Sequence, residues 1–130
     1  MNQDNLHFIQ AFEAGTLTDF HHRDHIRMAW IYLRRDGESA GIKNIRSGIQ
    51  GFALKHGATT LYHETITLFW TKVVMHAISV APEIEDFEAF AAEFPFLVDK
   101  TSIKQHYSDS VLGSDMARGE WVSPDLHPMP

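Results

Sequence analysis

Cysteine is absent from the 130 residues. That excludes disulfides, thiolate metal sites, iron–sulfur clusters and a cysteine nucleophile. Positive charge is scarce: 11 Lys and Arg against 17 Asp and Glu leave a formal net charge of −6. Such a balance does not suit nonspecific binding to nucleic acid, where cations must neutralise phosphates, so no nucleic-acid partner is expected. Arg34, Arg35, Lys43 and Arg46 form a local basic group, read as solvated helix surface. No apolar run approaches the roughly 18 residues of a membrane span. The first residues, Met1-Asn2-Gln3-Asp4-Asn5, lack the basic segment and apolar run of a signal peptide. The expectation is a cytoplasmic chain without a membrane partner. Neither a Gly-x-Ser-x-Gly elbow nor a Gly-rich phosphate loop occurs.

Large apolar side chains are abundant. Hydrophobic residues make up 44% of the chain, nine of them Phe and three Trp, enough to bury one core. The length suits a single domain, expected over residues 1–122, followed by a Pro-rich extended tail over 123–130. Pro124, Pro128 and Pro130 exclude regular helix from that tail, which reads as a strap or a loose end.

The apolar spacing is helical nearly throughout. Leu6, Ile9 and Phe12 predict a helix over 3–14, stopped by Gly15. Thr18 or Asp19 is the expected cap of a second helix over 20–35, with Ile26, Ala29, Trp30 and Leu33 inward and Asp36-Gly37 as its end. A third helix over 39–56 carries Ile42, Ile45, Ile49 and Phe52. Gly48 and Gly51 interrupt it at about 1 kcal/mol each, which suggests close packing there. A fourth helix over 61–80 buries Ile66, Phe69, Trp70, Val73 and Ala77. A fifth over 84–93 is ended by Pro95, residues 96–109 hold one more short helix, and Ser114 caps a last turn or two. The fold class is all-α, with five to six helices in an orthogonal or bundle-like arrangement.

Chemistry concentrates at two helix beginnings. In Phe20-His21-His22-Arg23-Asp24-His25, His25 shares a helix face with His22 at i, i+3 and with His21 at i, i+4. Either pair could ligate one ion, and the positive end of a helix would keep the rings neutral. In Tyr62-His63-Glu64-Thr65, His63 is the best third ligand, and Glu64 is a ligand, a partner to a ring N–H, or a general base. Tyr62 and Thr67 would line the pocket. His-Glu-Thr-Ile-Thr is not the metalloprotease motif, since Thr67 stands where that motif has His. One alternative makes these histidines structural, bonded to backbone or carboxylates, with Asp24 and Glu64 pairing with Arg23, Arg27 or Lys72; another is a metal-free site in which His22, His25 or His63 acts as a general acid or base. Trp30, Phe69 and Trp70 read as core, His56 as a helix-end residue and His76 as semi-buried; His7, His106 and His127 stand out in nothing.

The segments His22-Arg23-Asp24-His25-Ile26-Arg27-Met28-Ala29-Trp30 and Tyr62-His63-Glu64-Thr65-Ile66-Thr67, with Trp70, Tyr107-Ser108, Ala117-Arg118 and Pro124-Asp125-Leu126, resemble a group of small uncharacterised bacterial proteins. The resemblance spans about residues 20–128 and implies a fold-sized helical unit. Its His-x-x-His spacing favours His22 over His21 as the partner of His25.

The leading expectation is a small metal-dependent enzyme, hydrolytic or oxidative, acting on a small-molecule substrate. His22, His25 and His63 would hold a divalent ion (Zn, Fe or Mn), with Glu64 and Tyr62 as catalytic groups. Its rival is a non-catalytic helical module that binds a small molecule or a partner helix, with a homodimer as one form of it.

Overall fold

The computed structural model describes residues 2–58 and 62–130. All regular structure among them is helical: α1 (Gln3–Ala14), α2 (His22–Lys55), α3 (Glu64–Val80), α4 (Phe87–Glu93), α5 (Pro95–Val98), a 3₁₀ helix (Lys100–Gln105), α6 (Asp109–Leu112) and α7 (Asp115–Gly119). The all-α expectation holds. The described residues contain more segments than the five or six expected, because the chain after α3 is cut into short pieces.

Helix α1 begins at an Asn2 cap, whose side chain accepts from the Asn5 N–H at 2.8 Å. It ends at Gly15, left-handed with φ 73°, where a β-carbon would strain the backbone. Ile9 and Phe12 face inward as the spacing required, but Leu6 is exposed and Asn5 is buried in its stead.

Helix α2 is one run of 34 residues with a break at Gly37. There φ is 83° and ψ −179°, a region essentially reserved for glycine. The break divides the run where the sequence divided it, into a first arm over 22–36 and a second over 38–55. Asp36 secures the corner, accepting from Arg35 Nε at 2.9 Å and from Asn44 Nδ2 at 2.8 Å. Gly41 lets the arms close, since a β-carbon there would lie 3.0 Å from the Leu33 Cα. The start of α2 is not capped by Thr18 or Asp19. Asp24 reaches back instead and accepts from the His21 N–H at 3.0 Å. Phe20 stays outside the helix, stacked on Phe12 at 5.2 Å.

Helix α3 is the centre of the fold. Phe69, Trp70, Val73, Val74 and Ala77 are buried, as are Thr65, Thr67 and Thr71, while Ile66 is only partly so. Two buried threonine hydroxyls find backbone: Thr71 donates to the Thr67 carbonyl at 2.8 Å, and Thr65 to that of Glu120 at 2.8 Å. The expected start near residue 61 falls outside the described residues, and the helix begins at Glu64. Further on, Pro95 does not merely end α4; it occupies the first turn of α5, where its missing N–H costs nothing. Asp86 caps α4, so Ile84 and Glu85 stand ahead of that helix rather than in it. Ser114 caps α7 as expected.

Residues 123–130 carry no helix and are tied back. Leu126 donates to the His106 carbonyl at 2.9 Å, and the Ser108 N–H donates to Asp125 Oδ1 at 2.9 Å.

The two suspected interior glycines differ. At Gly48 a β-carbon would lie 2.8 Å from the Phe12 ring, whereas at Gly51 it would meet nothing within 4 Å. Gly48→Ala should therefore lower stability by about 1–3 kcal/mol despite alanine's helix preference. Gly51→Ala should raise it by about 0.5–1 kcal/mol. Chemical denaturation of both variants checks the pair, and equal effects would contradict the packing described.

Candidate functional site

The first arm of α2 and α3 lie side by side. The His22 ring meets Trp70 at 4.5 Å, and further along Leu33 shares a groove with Met75 and Ile78. The two helices thus run in the same sense, with an offset. Trp70 is seven residues beyond His63, about 10 Å of helix rise. His22 and His25 stand beside the middle of α3, and His63 stands at its beginning. Among the described residues no three His, Asp or Glu side chains gather as a set able to hold a metal ion.

His63 is fully engaged. Its Nδ1 accepts from the Ile66 N–H at 3.1 Å, capping α3, so Nε2 carries the proton and donates to the Leu112 carbonyl at 2.7 Å. Glu64 is engaged as well. Both its oxygens accept from Arg46, Nε at 3.1 Å and Nη2 at 2.5 Å, and Oε1 also accepts from the Tyr62 hydroxyl at 2.6 Å. Burial, then the hydrogen bond to Glu64, pushes the Tyr62 phenol up to about 12. Thr67 lies buried beneath this network. Arg46 is therefore not free helix surface; it forks onto the carboxylate that opens α3.

At the α2 start, His22 Nε2 donates to the Leu97 carbonyl at 2.7 Å, which leaves Nδ1 without a proton. The His25 ring stands against Phe20 at 5.9 Å and makes no hydrogen bond among the described residues. Both rings are held neutral, but burial comes first among the causes, not the helix end: desolvation lowers the His22 pKa, and desolvation followed by the neighbouring His22 brings His25 down to about 4. His21 is exposed, joined to the cap only through its backbone.

Other histidines depart from their reading. His76 is exposed rather than semi-buried. His106, unremarkable in sequence, is buried against Phe69 and Phe96, and its Nδ1 donates to the His127 carbonyl at 2.9 Å. His56 is a helix-end residue as expected, bonded to the Gly15 carbonyl at 3.2 Å.

A cleft of about 480 Å³ opens elsewhere, between the start of α1, the first arm of α2 and the residues ahead of α4. Asn5, Trp30, Ile31, Arg34, Glu85 and Asp86 line it. A second hollow of about 310 Å³ adjoins it through Asn2, Asn5 and Asp86. Trp30 is 3% exposed, and its indole N–H is buried without a hydrogen-bond partner among the described residues. Asn5 is fixed as floor, since its Oδ1 accepts from Arg27 at 2.8 and 3.0 Å. Arg34 is held at the cleft from two sides: its guanidinium lies 5.4 Å from the Trp30 ring centroid and donates to the Pro82 carbonyl at 3.0 Å. Sequence reading left this cleft unseen. The one available signal was Arg34 four residues after Trp30, a spacing that sets a cation over a ring on one helix face.

No family model matches the chain, and neither a curated protein nor a solved structure matches it. No helix among the described residues is long and apolar enough to cross a membrane.

His63→Ala should cost about 2 kcal/mol, the sum of a lost cap and an unsatisfied Leu112 carbonyl. His63→Asn, which can cap but not reach Leu112, should recover about half of it; equal losses in urea denaturation would contradict the double role. A pH dependence follows from His25. Folded, it stays neutral down to about 4; unfolded, it takes up a proton near 6.5. The unfolded chain then binds more protons between those values, so stability is full above pH 7 and falls as pH drops from about 6.5 to 4, by on the order of 3 kcal/mol. His25→Gln should flatten that stretch of the denaturation profile, and an unchanged slope would remove His25 as its source.

Proposed function

We propose that the protein is a non-catalytic helical module that binds a small molecule in the cleft beside Trp30. The observation that carries this reading is the buried indole N–H without an acceptor. An unmade hydrogen bond of this kind costs about 1–3 kcal/mol, and natural structures keep few of them. An incoming acceptor would satisfy it. The cleft volume of about 480 Å³ falls within the usual range for small-molecule sites. Its lining sets the buried Trp30 and Ile31 beside a few polar groups, a composition usual for such sites.

The histidines support the same choice. To serve as a ligand, His63 would have to give up the Ile66 N–H or the Leu112 carbonyl, leaving a helix end or a buried oxygen unsatisfied. To act as a base, Glu64 would have to do so while Arg46 and Tyr62 occupy its oxygens.

Two measurements test the reading. Elemental analysis of untagged protein should find no stoichiometric metal; a stoichiometric ion lost in both His22→Ala and His63→Ala, with helicity retained, would overturn it in favour of a metal site. A thermal-shift survey of chemically varied small molecules should yield compounds that raise the melting temperature. At a hundred times its Kd, a ligand adds about 2.7 kcal/mol of stability. Trp30→Phe should reduce that shift, and equal shifts in both proteins would remove the cleft as the binding place.

A further inference from the structure

The cleft holds opposite charges that do not neutralise each other. Arg34 stands on the α2 wall, with Glu85 and Asp86 on the wall ahead of α4. The ion pairs among the described residues are Arg23–Glu88, Arg35–Asp36, Arg46–Glu64 and Lys104–Asp109, so Arg34 is paired with neither acid. Arg35, which also reaches the cleft, is already held by both oxygens of Asp36. Arg34 commits Nη1 to the Pro82 carbonyl and has further N–H groups to give. Asp86 commits one oxygen to the Ala89 N–H, and Glu85 makes no hydrogen bond among the described residues. Trp30 and Ile31 also line the cleft, and both are almost wholly buried.

A guest that meets all of these at once carries an anionic end, a cationic end and an apolar body. The anion would take the remaining N–H groups of Arg34. The cation would face Glu85 and Asp86. The body would cover the Trp30 ring and Ile31. Either charge alone would leave its opposite in the cleft without a partner, so a guest carrying both signs is the better match. Resting on the cleft reading above, we propose that the ligand is a small zwitterion, a carboxylate and an ammonium on an apolar body. That is the chemistry shared by free apolar amino acids and by dipeptides.

Calorimetric titration of the full chain separates the possibilities. The probes are L-phenylalanine and leucyl-leucine as zwitterions, N-acetyl-L-phenylalanine as anion, L-phenylalanine methyl ester as cation and N-acetyl-L-phenylalanine amide as neutral compound. At least one zwitterion should bind at least about tenfold more tightly than every other charge class. Which zwitterion binds distinguishes an amino acid from a dipeptide, because the span between the two charges differs. Arg34→Gln should weaken the zwitterion and the anion but leave the ester unchanged. Glu85→Gln, at an exposed position, should weaken the zwitterion and the ester but leave the anion unchanged. A neutral or singly charged probe that binds as tightly as both zwitterions overturns the zwitterion inference and leaves the cleft standing. No binding by any probe, while other compounds still shift the melting temperature through Trp30, does the same. Silence of the calorimetry and of the thermal-shift survey together overturns both.

Discussion

The fold turns on a single backbone position. Gly37 takes φ 83° and ψ −179°, which a residue with a β-carbon adopts only at considerable strain. There α2 stops being one rod and becomes two arms, close enough at Gly41 to touch backbone. The first arm lies along α3 with Trp30 and Leu33 inward. The second brings Arg46 to the start of α3, and Gly48 and Phe52 to Phe12 of α1. A straight helix of 34 residues would be about 50 Å long, far longer than such a domain is wide, and could not do both. The cleft is a product of the same corner. Arg34 and Trp30 occupy the last turns before the break, and the residues around Pro82 that follow α3 return to meet them.

The imidazoles are best understood as parts of this architecture. Besides His56, which donates to the Gly15 carbonyl, three of them donate to a backbone carbonyl late in the chain: His22 to Leu97, His63 to Leu112 and His106 to His127. Each of these late carbonyls belongs to the chain after α4, where the helices are short and backbone groups are hard to satisfy internally. Ring N–H groups from α2, α3 and the 3₁₀ helix's end thus stand in for the ladder those segments lack. Burial keeps the α2 pair neutral, and neutrality is what lets an imidazole be donor at one nitrogen and acceptor at the other.

Much of the fold was legible because helix signals are local. The 3.6-residue spacing of Ile9 and Phe12, the stop at Gly15 and the break at Gly37 are read within one turn of chain. Pro95 misled because the same residue ends one helix and opens another; only the non-helical Phe94 ahead of it decides which. The candidate site was less legible. That His63 and Glu64 begin a helix is local, but their partners, Leu112 and Arg46, lie 49 and 18 residues away. Whether an imidazole is a free ligand or a spent donor depends on that distant carbonyl, which leaves no mark on spacing. Two helix starts could likewise be read, but not the offset along their packed faces. The cleft was hidden for a related reason: Trp30 looks the same in sequence whether its N–H is bonded or not.

On the proposed reading, a ligand binds at Trp30 and the histidines serve the scaffold. The indole N–H resonances of Trp30, Trp70 and Trp121 report on three separate places in one ¹H–¹⁵N spectrum. On titration with a compound that raises the melting temperature, the Trp30 signal should move while those of Trp70, beside His22, and Trp121 stay fixed. A Trp30 signal that holds still while the Trp70 signal moves would contradict it and return the binding site to the histidines of α2.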